Sequence, residues 1–137
     1  MSFEGPTLID WGAFAEARMT LGAGLIRILG YFREDGAKSV AEIEAAARAQ
    51  DAVAMVMPAH TLKGEALQLG ATPLATLAES IEDAARFCVE TRNTPESAIA
   101  DIVQLRPLFE ATLTQLERET NPLAQRRPVS PRARSSR

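Results

Sequence analysis

Apolar residues recur three or four positions apart along nearly the whole chain, which is the spacing of one face of an α-helix. Polar and helix-breaking residues interrupt this pattern at intervals of about 20 to 30 residues. Strict alternation of apolar and polar residues, as in a half-buried strand, is not the prevailing pattern. We therefore predict helices near residues 10–18, 20–50, 51–69, 72–93 and from 94 onward.

Start and stop signals divide the second half of the chain. Gly70 follows the last periodic residue of the third segment, where a C-terminal glycine is favoured. Thr72-Pro73 and Thr94-Pro95 each offer a threonine N-cap followed by a proline at the first helical position. These signals predict short connections before the fourth and fifth helices.

Four residues inside the predicted helices weaken or remove backbone hydrogen bonding. Gly30 and Gly36 lower helix propensity in the second segment and allow a break near residues 34–38. Pro58 and Pro107 each lack the N–H that an interior helical residue donates. The third helix therefore either kinks at Pro58 or begins there.

Four substantial helices with short connections predict an all-α fold, an antiparallel up-down four-helix bundle with an extra short N-terminal helix. That helix is expected to close one end of the bundle. The composition agrees, because aromatics are 5% and alanine is abundant, which favours helices over sheets. A chain of 137 residues is about the size of one domain. We assign the bundle to residues 1–120.

The C-terminal residues 121–137 form a basic tail. They hold five of the 15 Lys and Arg residues and no acid, so the remaining 10 basic and 18 acidic residues give the body a net charge of −8. An acidic body is a poor binder of nucleic acid. The tail is rich in Pro, Ser and Arg, which predicts disorder. It is either a solvated extension or a weak electrostatic contact for a partner or membrane surface.

The cysteine content and the hydropathy of the chain indicate its cellular compartment. One cysteine and one histidine form neither an internal disulfide nor a zinc site. The N-terminus shows no signal peptide, and no apolar run reaches the roughly 18 residues of a membrane span. We expect a cytoplasmic protein without membrane insertion.

The one histidine, His60, is predicted to face away from the core. Advancing about 100° per residue from His60, the apolar side chains that form a stripe lie about 180–240° away: Met55, Leu62, Ala66 and Leu69. On the side of His60, the helix instead carries Val53, Val56, Met57, Lys63, Gly64 and Leu67. An outward-facing apolar patch around a polar group is typical of a docking surface.

Lys63 and Gly64 suggest the chemistry of His60. Lys63 lies one turn away, so its ammonium can reach an anion held at the imidazole. Gly64 leaves open space above the helix, at a cost of about 1 kcal/mol in helix propensity. Imidazole is nucleophilic near neutral pH. An accessible nitrogen, a nearby cation and an open approach suit a histidine that accepts a phosphoryl group.

The stretch HTLKGEALQLGATPLATLAESIE resembles the histidine-containing phosphotransfer (HPt) domain of bacterial phosphorelays. The family pattern is His, two further residues, Lys-Gly, a second Gly six residues later and spaced leucines on the next helix. In this chain the matching residues are His60, Lys63, Gly64, Gly70, Leu74 and Leu77. The motif covers about 25 residues, and the predicted bundle extends the similarity to roughly residues 8–119.

The resemblance implies a role for each site residue. His60 would accept a phosphoryl group from the aspartate of a receiver domain and pass it to another. Lys63 would offset phosphoryl charge, and Gly64 would keep the approach open. Val56, Met57 and Leu67 would join the docking surface. The partner receiver, from a response regulator or hybrid kinase, would supply Mg²⁺, so the chain needs no cofactor of its own. We expect a free-standing monomer with no ATP site.

Three alternatives remain open from the sequence. The chain could be an adaptor that binds receivers without phosphotransfer, a structural bundle with a chance motif, or a hydrolase using Ser80 or Cys88. The last lacks a second histidine to act as base. Other charged residues are read as solvated surface, among them Glu79, Glu82 and Asp83. Glu65 replaces a commonly small residue and is predicted to point away from His60.

Overall fold

The computed structural model describes residues 7–120. Its five α-helices are α1 (Trp11–Leu21), α2 (Leu25–Arg48), α3 (Ala52–Gln68), α4 (Thr72–Thr91) and α5 (Ile99–Thr120). Two 3₁₀ turns, Gly22–Gly24 and Pro95–Ala98, precede α2 and α5. The predicted disorder of residues 121–137 lies outside the described residues.

Helices α2 to α5 form a closed four-helix bundle. Helix α3 packs against α2 and α4, and α5 packs against the same two helices from the other side. The short connections make sequential neighbours antiparallel. The predicted all-α bundle with an additional short N-terminal helix is therefore confirmed. Each helix contributes fully buried side chains to one core, including Val40, Ile43, Met55, Leu62, Leu74, Ile81, Leu105 and Leu116.

The helix starts differ in part from the predicted ones. Asp51 caps α3 by accepting a hydrogen bond from the Ala54 N–H at 3.1 Å. Ala71, rather than Thr72, is the N-cap of α4. Thr94 has the extended backbone of an N-cap, but it opens a 3₁₀ turn and α5 begins four residues after Pro95. Ile99 has the helical spacing of a core residue, but with this later start its side chain is 41% exposed.

The helix-weakening residues interrupt neither α2 nor α3. Helix α2 runs unbroken through residues 34–38. A Cβ atom added to Gly36 would lie 2.8 Å from Phe109 Cζ, so glycine permits α5 to approach α2 closely. Pro58 lies inside α3, which begins at Ala52. Its missing N–H would have bonded the Ala54 carbonyl, and Ala54 is exposed, where solvent can replace that bond.

The N-terminal segment closes the bundle at the α3–α4 turn. Leu8 and Ile9 are buried. The Asp10 N–H donates to the carbonyl of Gly70 at 2.7 Å, and the Asp10 carboxylate caps α1 by accepting from the Ala13 N–H at 3.1 Å. Phe14 is buried beside this contact. The predicted covering of one bundle end thus depends on the backbone of Gly70.

Glu65 lies in an unfavourable position between α3 and α2. Its side chain is half-buried, and its Oε1 atom is buried without a hydrogen-bond partner among the described residues. Burial, together with the nearby charge of Asp35, raises the pKa of Glu65 above its ordinary value. A group with a raised folded-state pKa stabilises the fold below its unfolded pKa and loses that contribution as the pH rises through the folded pKa.

We therefore expect Glu65→Gln to increase the free energy of unfolding by about 1 kcal/mol at pH 7, because an uncharged amide costs less to bury than a carboxylate. Urea denaturation at pH 7 and at pH 4 measures the effect. The gain should shrink at the lower pH, where wild-type Glu65 takes up a proton. Glu79→Gln on exposed α4 surface is the control. An equal gain at both pH values would contradict this explanation.

Candidate functional site

His60 lies on the outward face of α3. Its side chain is 51% exposed, whereas Met55, Leu62, Ala66 and Leu69 on the opposite stripe are fully buried. The helical period thus places the core stripe and the histidine as the sequence pattern indicated. The imidazole is accessible to a second molecule.

The imidazole contacts a buried carboxylate on the neighbouring helix. Glu82 of α4 has a side chain that is only 5% exposed, and its Oε2 atom lies 2.9 Å from His60 Nδ1. The interpretation of Glu82 as part of a solvated face is therefore wrong. The packing of α4 against α3 covers the Glu82 side chain.

Two cations share the same carboxylate. Lys63 Nζ lies 3.2 Å from Oε1 in an ion pair. Arg86, one turn further along α4, donates to Oε2 from Nε at 3.0 Å and from a terminal nitrogen at 2.8 Å. Burial on its own raises the pKa of Glu82, but the contacts from Arg86, Lys63 and His60 outweigh it and hold this pKa below its ordinary value. Glu82 is consequently a carboxylate at neutral pH.

An ionised carboxylate fixes the tautomer of a neutral histidine. A carboxylate only accepts hydrogen bonds, so Nδ1 of neutral His60 carries the proton and donates a hydrogen bond to Glu82. The lone pair then resides on Nε2. Within residues 7–120, Nε2 has no hydrogen-bond partner. The site therefore presents a nucleophilic nitrogen to the outside of the bundle.

Gly64 borders the imidazole without any packing requirement for glycine. A Cβ atom added there would meet nothing within 4 Å, and the surrounding backbone is regular α-helix. Glycine therefore leaves open space outside α3 at this position, and its role in access to His60 remains a prediction. A group approaching His60 can use that space.

The predicted docking residues differ in exposure. Met57 and Leu67 are 61% and 57% exposed, and Val53 on the same side is 69% exposed. Val56 is only half-exposed because it packs against the core. A partner on this face would therefore contact mainly Val53, Met57 and Leu67, with Val56 at the base. Their docking role remains a prediction.

Sequence reasoning missed Glu82 and Arg86 as members of the site. One signal was present in the chain. Ala78 and Ala85, four residues before and three after Glu82, both belong to the buried stripe of α4, so Glu82 stands at the edge of that stripe. An arginine at i+4 from such an acid is a frequent pairing.

The hydrolase alternative finds no support in the geometry. Ser80 Oγ donates to Asp101 at 2.6 Å, and Cys88 is buried beside Ser97. His60 pairs with neither. Within residues 7–120, no three His, Cys, Asp or Glu side chains lie together as metal ligands. None of the helices described combines the length and apolar character needed to cross a membrane.

The fold and the site define a histidine-bearing helical bundle, and comparison with protein families identifies its class. A family model described as the Hpt domain matches residues 27–119, about two thirds of the chain. The chain therefore belongs to the HPt family, whose members act in histidine phosphotransfer in two-component signalling and interact with receiver domains. No curated protein and no solved structure matches the chain significantly. The chance-motif alternative is excluded by the family match.

Proposed function

We propose that this protein relays a phosphoryl group between receiver-domain aspartates through His60 Nε2. The observation that carries the proposal is the contact of 2.9 Å between His60 Nδ1 and the buried Glu82 carboxylate. It orients the ring and directs the Nε2 lone pair outward. Serine-protease triads use the same device, in which a buried carboxylate holds the histidine that reacts.

The transfer step needs no added base, because the attacking Nε2 carries a lone pair and no proton. The Nε2 lone pair forms the N–P bond while the P–O bond to the receiver aspartate breaks, and that electron pair leaves with the aspartate carboxylate. His60 keeps its Nδ1 proton throughout. The phosphorylated ring then carries a positive charge, which the Glu82 carboxylate stabilises at hydrogen-bond distance. Return transfer to another receiver reverses these steps.

The partner completes the site. A phosphoryl-transfer transition state needs cations on the phosphoryl oxygens, and we propose that the receiver supplies Mg²⁺ while Lys63 supplies an ammonium. The exposed side chains of Val53, Met57 and Leu67 give the receiver an apolar surface beside His60. We propose that the protein meets its receiver in the cytoplasm as a monomer.

The direct test charges candidate receivers with labelled phosphate and mixes each with wild type or His60→Gln. We expect acid-labile, base-stable label on wild type and none on the variant. Binding of each receiver is measured in parallel. A receiver that binds wild type and gives it no label would favour the adaptor that docks without transfer.

Gly64→Gln is expected to slow transfer about 100-fold, because a long side chain occupies the approach to Nε2 and small displacements of reacting groups are costly. Rapid-quench transfer kinetics measure the effect, and the thermal midpoint should not fall. Gly30→Gln is the matched control, since a Cβ at helical Gly30 also meets nothing within 4 Å. Gly30 lies on α2, so its variant should transfer normally. Equal rates for both variants would refute the steric role of Gly64.

A further inference from the structure

One buried carboxylate, that of Glu82, contacts three side chains from two helices. On α4, Arg86 binds Glu82 Oε2 with two N–H groups, at 3.0 and 2.8 Å. On α3, His60 contacts that same oxygen, and Lys63 forms an ion pair with Oε1, with Nζ at 3.2 Å. Lys63 is therefore paired with Glu82, whereas the proposed relay needs its ammonium at the phosphoryl group.

We propose that Arg86 is a positioning residue that keeps Glu82 paired and so releases Lys63 to phosphorylated His60. This inference rests on the proposed function.

The competition for Lys63 is set by charge. A phosphoryl group on Nε2 brings up to two negative charges to the outer side of the ring, against one on Glu82. Lys63 lies one helical turn from His60 and carries a flexible four-carbon stem. Its side chain is 24% exposed, which gives the ammonium a path outward. Movement from Oε1 to the phosphoryl oxygens is thus favourable if Glu82 tolerates the loss.

Burial determines whether Glu82 tolerates that loss. A carboxylate that is 5% exposed cannot compensate a missing cation with water, and an unpaired buried charge is strongly unfavourable. Arg86 prevents this outcome, because its i,i+4 position on the same helix keeps it on Oε2 wherever Lys63 moves. The phosphorylated ring also retains its Nδ1–H contact with Oε2. Glu82 then stays satisfied by one arginine and one imidazole.

Removing Arg86 should therefore act through Lys63. Glu82 would hold the ammonium more tightly, and the phosphoryl group would lose its cation from this chain. Phosphohistidine becomes less stable relative to the receiver aspartyl phosphate. Arg86 is 52% exposed, so its loss should leave the bundle folded.

The experiment is a double-mutant cycle. It measures, at equilibrium, the ratio of label on His60 to label on a charged receiver. Arg86→Gln and Lys63→Met are each expected to lower the ratio of label on His60 to label on the receiver about tenfold. In the double variant, Arg86→Gln should add nothing to Lys63→Met, because the residue through which it acts is gone. Arg86→Lys should restore most of the ratio. Additive losses, or an Arg86→Gln ratio equal to that of wild type, would overturn the inference.

Two controls separate this inference from the proposed function. Arg106→Gln removes a similar arginine–glutamate pair, at 3.0 and 2.7 Å from Glu44 between α5 and α2, and should leave the ratio unchanged. Phosphoramidate, a small phosphodonor, tests His60 without any receiver. If wild type takes label from neither donor, the proposed function and the inference both fail. If wild type is labelled and Arg86→Gln behaves identically, the inference alone fails.

Discussion

Glu82→Ala is expected to slow phosphoryl acceptance by His60 about 100-fold, at the lower end of what loss of a general acid–base or orienting group costs. The variant removes the acceptor at 2.9 Å from Nδ1, so either ring nitrogen can carry the proton and the ring is free to rotate. It also removes the negative charge that stabilises the phosphorylated, positively charged ring. Rapid-quench kinetics with a charged receiver measure the rate.

Glu82→Gln separates the hydrogen bond from the charge. The glutamine carbonyl can still accept from Nδ1–H, so we expect a loss of about tenfold, between wild type and Glu82→Ala. Glu79→Gln, an exposed acid one turn earlier on α4, is the control and should react normally. If Glu82→Ala and wild type transfer at the same rate, Glu82 does not orient His60.

The Glu82→Gln variant is also expected to change how stability depends on pH. Contacts with Arg86, Lys63 and His60 hold the pKa of Glu82 below its ordinary value despite its burial. A carboxyl group whose pKa is lower in the folded protein stabilises the fold at pH values above its pKa in the unfolded chain. This stabilisation is lost as the pH falls through the folded-state pKa. The stability deficit of Glu82→Gln should therefore be largest near neutral pH and should diminish in acid below about 4.5.

Gly70→Ala is expected to lower the free energy of unfolding by about 3 kcal/mol, from backbone strain and a steric clash together. Gly70 has a φ of +77°, and a Cβ there would lie 2.8 Å from the Asp10 carbonyl oxygen and 3.2 Å from the Phe14 nitrogen. Both neighbours are backbone atoms that cannot rotate away. The substitution displaces the N-terminal segment from the α3–α4 turn.

Urea denaturation of Gly70→Ala and Gly24→Ala tests this. A Cβ at Gly24 meets nothing within 4 Å, and its φ is −73°, so we expect its stability to change by less than about 1 kcal/mol. Equal stabilities for the two variants would show that the family's second glycine has no packing role. His60 lies ten residues away, so folded Gly70→Ala should still accept phosphate.

Local sequence signals were sufficient for the helices and for the direction in which His60 points. The apolar stripe of α3 needs only the helical period, and that period places the histidine opposite the core. The N-cap of α4 lies one residue before the predicted one, at Ala71 instead of Thr72, and the helix begins at Thr72. Such shifts are expected, because propensity does not include the packing of neighbouring segments.

The features that sequence reasoning missed depend on contacts between helices. Gly36 suggested a break in α2, yet its role follows from Phe109, which is 73 residues away in the chain. Glu82 stands between other acids and reads as surface until α3 covers it. Its pairing with His60 spans 22 residues. Charge and spacing within one helix do not contain that information.

The central claim is that His60 reacts through Nε2 while Nδ1 stays on Glu82. Because the chain has one histidine, long-range proton–nitrogen NMR of the imidazole gives one unambiguous pair of ring nitrogens. We would record it on the full chain before and after phosphoramidate treatment. We predict a protonated Nδ1 in the neutral ring and phosphorus on Nε2 afterwards. Phosphorus on Nδ1, or an unmodified ring in a phosphorylated protein, would contradict it.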